Sequence, residues 1–198
     1  MSLLSQSITV SISLVPGPGA LAALRALLKS YEDACDRVLE IATERQVRHQ
    51  ATLHSLVYRQ ICPRTPREGQ LPSQYAVRAI SRVSHQIRCE ALKLGDPYPA
   101  SSIDLDARSF SPDLANSAIK IASLKSVAVR GQNAKSNRLS IPARFPPDEL
   151  DLWSHSVFTG GHILLDGDKP TLIARLRPDY VILDALRDAL LQDFQGHA

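Results

Sequence analysis

Polar and apolar residues alternate at the start of the chain: Ile8, Val10, Ile12 and Leu14 interleave with Ser7, Thr9, Ser11 and Ser13. A period of two predicts a half-buried strand, and Pro16-Gly17-Pro18-Gly19 ends it. From Ala20 the period lengthens. Leu21, Leu24, Leu28, Tyr31, Cys35, Val38 and Ala42 recur at three- and four-residue spacing, which predicts a helix from Ala20 to Gln46. Cys35 lies on that apolar stripe, so a buried thiol is expected rather than a nucleophile. A second helix is predicted over Thr52–Ile61, facing inward through Leu53, Leu56 and Val57 and stopped by Pro63. A third is predicted from an N-cap at Ser73 to Leu94, with Gly95 as its stop. Ala76, Ile80, Val83, Ile87, Ala91 and Leu94 share its apolar face. At about 100° per residue, Gln74, Arg78, Arg82, His85 and Lys93 fall opposite.

After Pro97-Tyr98-Pro99 the period returns to two. Ile103, Leu105 and Ala107 alternate with acids and Arg108; short strands are expected at Ile119–Ile121 and Val127–Val129; and Leu139, Ile141, Ala143 and Phe145 alternate again. His162–Leu165 and Thr171–Leu176 flank Asp166-Gly167-Asp168, a predicted hairpin turn. Asp179–Phe194 reads as a terminal helix. A lone first strand must find partners among the later ones. The expected fold class is therefore α+β, a small antiparallel β-barrel with a helical insertion after its first strand. Residues 1–16 and 98–178 would form the barrel, 17–97 the helical part and 179–198 a C-terminal helix.

The 198 residues are 44% hydrophobic, enough for a sizeable core. No apolar run reaches membrane-spanning length. The N-terminal apolar stretch lacks a preceding basic residue, and the three cysteines form no C-x-x-C pair, so a cytoplasmic protein without a signal peptide or membrane partner is expected. The net charge of +3 hides a strong segregation. Residues 45–93 hold nine Lys and Arg against two acids, and residues 118–144 hold six against none. Solvated faces account for some of this, but two basic blocks on an acidic remainder also suit a polyanion. The candidate phosphate contacts are Arg59, Arg78, Arg82, Arg88 and Lys93 in the first block, and Lys120, Lys125, Arg130, Lys135, Arg138 and Arg144 in the second.

Catalytic signatures are missing. There is no phosphate-binding P-loop, dinucleotide glycine pattern or G-x-S-x-G elbow. His49, His54 and Cys62 lack the spacing of a zinc site. Asp104 with Asp106, and Asp184 with Asp188, have a spacing that suits a divalent metal, although ordinary polar positions explain both pairs more simply. The residues favour a binding protein with no cofactor over an enzyme.

Three runs carry a resemblance: L-H-S-L-V-Y-R-Q from Leu53, L-P-S-Q-Y-A-V-R-A-I-S-R-V from Leu71, and S-S-I-D-L-D-A-R-S-F from Ser101. With R-L-S-I-P from Arg138 and G-G-H-I-L-L-D-G-D-K-P-T-L-I-A from Gly160, the chain resembles, from Gln6 to Leu176, the N-terminal half of TnpB-type proteins. These are transposon-encoded RNA-guided nucleases related to type V CRISPR effectors. The resemblance implies a wedge barrel interrupted by a helical recognition domain, with guide RNA and target DNA as partners and contacts made mainly to backbone. It places Arg78 and Arg82 on the recognition helix, and it adds Arg108, after the acidic strand residues, to the candidate contacts. The family's RuvC-like nuclease acids and zinc-ribbon cysteines have no counterparts in this sequence. No catalytic residue is carried over, and magnesium would be needed only by a separately encoded RuvC partner. The expected function is RNA-guided nucleic-acid binding without cleavage. The alternatives are a protein-interaction subunit docking through its acidic C-terminal end, or an inactive truncated transposase remnant.

Overall fold

A computed structural model describes residues 7–64, 69–95, 98, 102–124 and 138–179. The chain forms strand β1 (Ile8–Leu14), helices α1 (Pro18–Arg45), α2 (Gln50–Ile61) and α3 (Ser73–Arg88), then strands β2 (Ser102–Leu105), β3 (Phe110–Asp113), β4 (Ala118–Ala122) and β5 (Arg138–Arg144). A short helix α4 (Leu150–Ser154) precedes β6 (Ser156–Asp166) and β7 (Lys169–Pro178). The fold is α+β, with helices inserted after the first strand, as the alternation of periods predicts. All strand pairs are antiparallel, in the order β2-β6-β7-β1-β5-β4-β3, and the sheet curls into a half-barrel.

β1 holds the two halves of this sheet together. Six of its residues pair with β7, from Ile8 opposite Leu176 to Ser13 opposite Thr171. Only Ser13 and Leu14 also pair with β5, opposite Arg144 and Ala143. The Val15 amide then donates to the Pro142 carbonyl at 2.8 Å. Val10, Ile12 and Leu14 are buried, while Thr9, Ser11 and Ser13 face solvent, so the serine–threonine alternation becomes the outer face of the half-barrel. The break into α1 follows from chemistry: Gly17 is its N-cap and Pro18 its first residue, where a missing amide costs nothing.

Helices α1 and α3 lie against the sheet, α1 touching β5 and β2, α3 touching β2. One apolar core joins both layers, from Leu24, Tyr31 and Val38 of α1 through Ile80 and Val83 of α3 to Ile103, Ile119, Ile141 and Leu172 of the strands. Cys35 is fully buried in it, and burial pushes its thiol up to about 12, which makes it inert at neutral pH. Tyr75 is buried too, and its hydroxyl donates to the Ala122 carbonyl at 2.9 Å, tying α3 to the end of β4. Trp153 of α4 lies between Phe110 and Phe145, and Phe158 of β6 stacks on Phe110, their ring centres 4.2 Å apart.

Several boundaries differ from the periodic prediction. α3 ends at Arg88 rather than Leu94: Glu90 takes a left-handed φ of 57°, and the amides of Ala91 and Leu92 both donate to Gln86 O. The N-cap of α3 is Pro72 rather than Ser73. β2 stops at Leu105 because Asp106 turns the chain: its Oδ1 accepts the amides of Arg108 and Ser109. β3 and α4, four and five residues long, are too short to show a period. The Asp166-Gly167-Asp168 hairpin is as expected, with Gly167 at φ 57°. The strand expected at Val127–Val129 lies outside the described residues, as does the helix expected over Asp179–Phe194 beyond Asp179 itself.

Candidate nucleic-acid interface

The sheet's outer face follows from the register. On β5, Arg138, Ser140, Pro142 and Arg144 point the same way, outward, and all are exposed. Lys120 of β4 pairs with Ser140 and with Ser111 of β3, so its side chain rises between them. Arg138 donates through Nη1 to Ser111 Oγ at 2.7 Å and through Nη2 to the Arg108 carbonyl at 3.4 Å, which brings Arg108 to the same edge. Arg144 pairs with Ser13, and further along β1 Thr9 pairs with Arg175 of β7. A band of arginines, one lysine and exposed hydroxyls therefore crosses the half-barrel. Asp113 is neutralised within it: Lys120 Nζ lies 2.6 Å from its carboxylate, and this hydrogen bond lowers the Asp113 pKa. Residues 123–137, which join β4 to β5, hold Lys125, Arg130 and Lys135 and no acid. Those three lie outside the described residues.

The helical candidates divide into two groups. Arg59 lies over the Tyr58 ring, 5.6 Å from its centre, and Tyr58 in turn stacks on His54. Arg88, with His49 and His54, lines a surface cleft of about 460 Å³. Lys93 is exposed but, with α3 ending at Arg88, it does not continue a helical row. Arg78 and Arg82, in contrast, do not face outward opposite the apolar stripe as the helical wheel predicts. They turn onto β2.

Spacing explains this. Four helical residues advance about 6 Å and two strand residues about 6.6 Å, so an i,i+4 arginine pair matches an i,i+2 aspartate pair across a helix–strand contact. Arg82 Nη1 lies 3.3 Å from Asp104 and donates to the Ser102 carbonyl at 2.9 Å, while its Nη2 donates to Ser102 Oγ at 2.7 Å. Arg78 Nε stands 3.9 Å from Asp106, an ion pair without a hydrogen bond, and its Nη2 donates to the Leu105 carbonyl at 3.2 Å. Burial opposes the Arg82 charge, but Asp104, Tyr98 and Tyr31 outweigh it and hold the guanidinium more firmly protonated. Asp104 and Asp106, one pair whose spacing suits a metal, are thus occupied by arginines, and the other, Asp184 with Asp188, lies outside the described residues. Among the described residues, no group of three or more His, Cys, Asp or Glu is arranged to hold a metal. No described helix is long and apolar enough to cross a membrane.

A polar feature unforeseen from sequence lies beside this ladder. Gly160 and Gly161 sit inside β6, not in a turn, and the β6–β7 register shifts between Phe158 and Gly160. Gly161 packs so closely on β7 that a Cβ there would collide with the Ile173 carbonyl. Gly160, at φ 151°, pairs with Arg175. His162, two residues on, pairs with Asp104 and is half-buried, and burial is the main reason its pKa is lowered. Only the glycine pair marks this place in the sequence.

The chain matches no protein-family model and no curated protein sequence.

Proposed function

We propose that the chain is a nucleic-acid-binding module that grips phosphate backbone with the outer face of its half-barrel. The carrying observation is the band on β4 and β5: Lys120, Arg138 and Arg144 share the outer face, exposed Arg108 adjoins it through the bond from Arg138 to its carbonyl, and residues 123–137 hold three bases and no acid in sequence. Serine and threonine hydroxyls between the arginines suit phosphate oxygens. Among the described residues few aromatic rings are exposed for base stacking, so backbone charge supplies the affinity. Within this reading the ligand is a guide RNA and its duplex with target DNA, as the TnpB-type resemblance implies, and base pairing rather than protein supplies the sequence choice. Strand cleavage, with its magnesium, would belong to a RuvC-type partner.

The test is purification of the protein with its native flanking locus, sequencing of the co-purifying RNA, and titration of that RNA at several salt concentrations. A discrete structured RNA, whose affinity and salt slope both fall in Arg138→Gln/Arg144→Gln, is the expected result. No RNA, or a random sample of transcripts, overturns the guide reading. Unchanged binding in the double variant overturns the assignment of the surface.

A further inference from the structure

From the convergence of Arg78 and Arg175 over Gly160, we infer a discrete phosphate site on the outer face, beside His162. It rests on the nucleic-acid reading for the source of the phosphate, and goes beyond it in naming where one phosphate sits.

Two guanidinium groups from different elements meet at a bare backbone. A Cβ built on Gly160 would lie 3.2 Å from Arg175 Nη2 and 3.6 Å from Arg78 Nη2. Arg78 is carried by α3 and Arg175 by β7, so neither position is forced by the other's local sequence. Like charges at this distance repel unless something negative lies between or beside them. Asp106 faces Arg78 at 3.9 Å, and Asp104 is taken by Arg82. Arg175 has no carboxylate partner among the described residues. Three arginines and a histidine therefore face two carboxylates.

The shape agrees with the charge. The β6 register shift sets Gly160 opposite Arg175, and the missing side chain lets Arg175 Nη2 close over the bare backbone, where a Cβ would press on it at 3.2 Å. Thr159 Oγ1 donates to the Arg175 carbonyl at 3.0 Å, which fixes the backbone from which Arg175 projects. His162 is on the same face, two residues from Gly160, where Arg82 and Arg175 add to burial in disfavouring its charged form, and Asp104 opposes them. A tetrahedral oxyanion fits this arrangement because a pair of guanidinium forks offers several donors in fixed planes.

The experiment follows the His162 ring by NMR in the full chain, first against inorganic phosphate and then against a single-stranded RNA oligonucleotide. Phosphate should shift the His162 signal saturably, and Arg175→Gln should weaken that binding about tenfold. Lys29→Gln, at an exposed position of α1, should leave it unchanged. Absence of a saturable shift, or equal binding by Arg175→Gln, overturns the site. If RNA moves His162 and phosphate competes with it, the site holds a backbone phosphate. If phosphate binds and RNA does not, the site stands with free phosphate as its ligand, and the nucleic-acid reading falls. If RNA binds tightly without moving His162, that reading survives and this site is wrong.

Discussion

At the scale of single residues, Arg82 acts within the fold. Its guanidinium joins α3 to β2 through Ser102 and Asp104, and its side chain is only 18% exposed. Arg82→Ala should lower stability by about 2–3 kcal/mol, less than for a fully buried pair because Asp104 keeps some water contact. In chemical denaturation, Asp104→Asn combined with Arg82→Ala should cost less than the sum of the single changes. The folded Arg82→Ala protein should keep its RNA affinity; a loss of affinity without a loss of stability would show that Arg82 reaches the ligand. His162 gives a pH prediction. Its pKa is lowered in the folded state, chiefly by burial, so the unfolded chain binds the proton more readily. Its contribution to stability is complete above the ordinary histidine value of about 6.5 and declines as pH falls through that value toward the lower folded one. Melting temperature should therefore drop between neutral and mildly acidic pH, and His162→Gln should flatten that part of the profile.

At the scale of elements, β1 and the helices were legible in the sequence because each is long enough to repeat its period. The alternation in β1 sets Ile8 and Ile12 on one face, but Ile12 is fully inside and Ile8, at the strand's first position, is 36% exposed. Ile12→Ala should cost about 3 kcal/mol and Ile8→Ala under about 1 kcal/mol, a contrast readable in urea unfolding. An equal cost at the two positions would contradict the exposure of Ile8 at the strand's end. The end of α3 was not legible. Ala91 and Leu94 continue the helical period, yet the chain reverses at Glu90 and buries Leu92 instead. Nor was the turn of Arg78 and Arg82 toward the sheet. A helical wheel reports which positions share a face but not what lies against that face, and only the fold brings an Asp-x-Asp strand alongside an Arg-x-x-x-Arg helix. The Gly160-Gly161 pair was visible, but its place inside β6 depends on pairing with β7. The outer basic band was partly legible: charge segregation marked Lys120, Arg138 and Arg144, while their common face needed the register of three strands.

At the scale of the whole molecule, the half-barrel separates its two chemistries. Apolar side chains fill its concave side and the helix contacts, and hydroxyls with arginines cover the convex side of β1, β5 and β7. Backbone recognition by such a surface loses affinity steeply with salt, and removing Arg138 and Arg144 together should reduce the log–log slope by about two. The pairing of β1 also has a consequence for how the chain is made. Among the described elements β1 leaves the ribosome first and its principal partner β7 leaves last. Throughout that interval the helices can close on local contacts, but β1 has two unsatisfied edges. A strand with one continuous apolar surface would recruit neighbouring nascent chains while it waited. Serine and threonine at every second position of β1 leave only one of its faces adhesive, so the residues that later form the outer face of the half-barrel also guard the unfinished protein during synthesis.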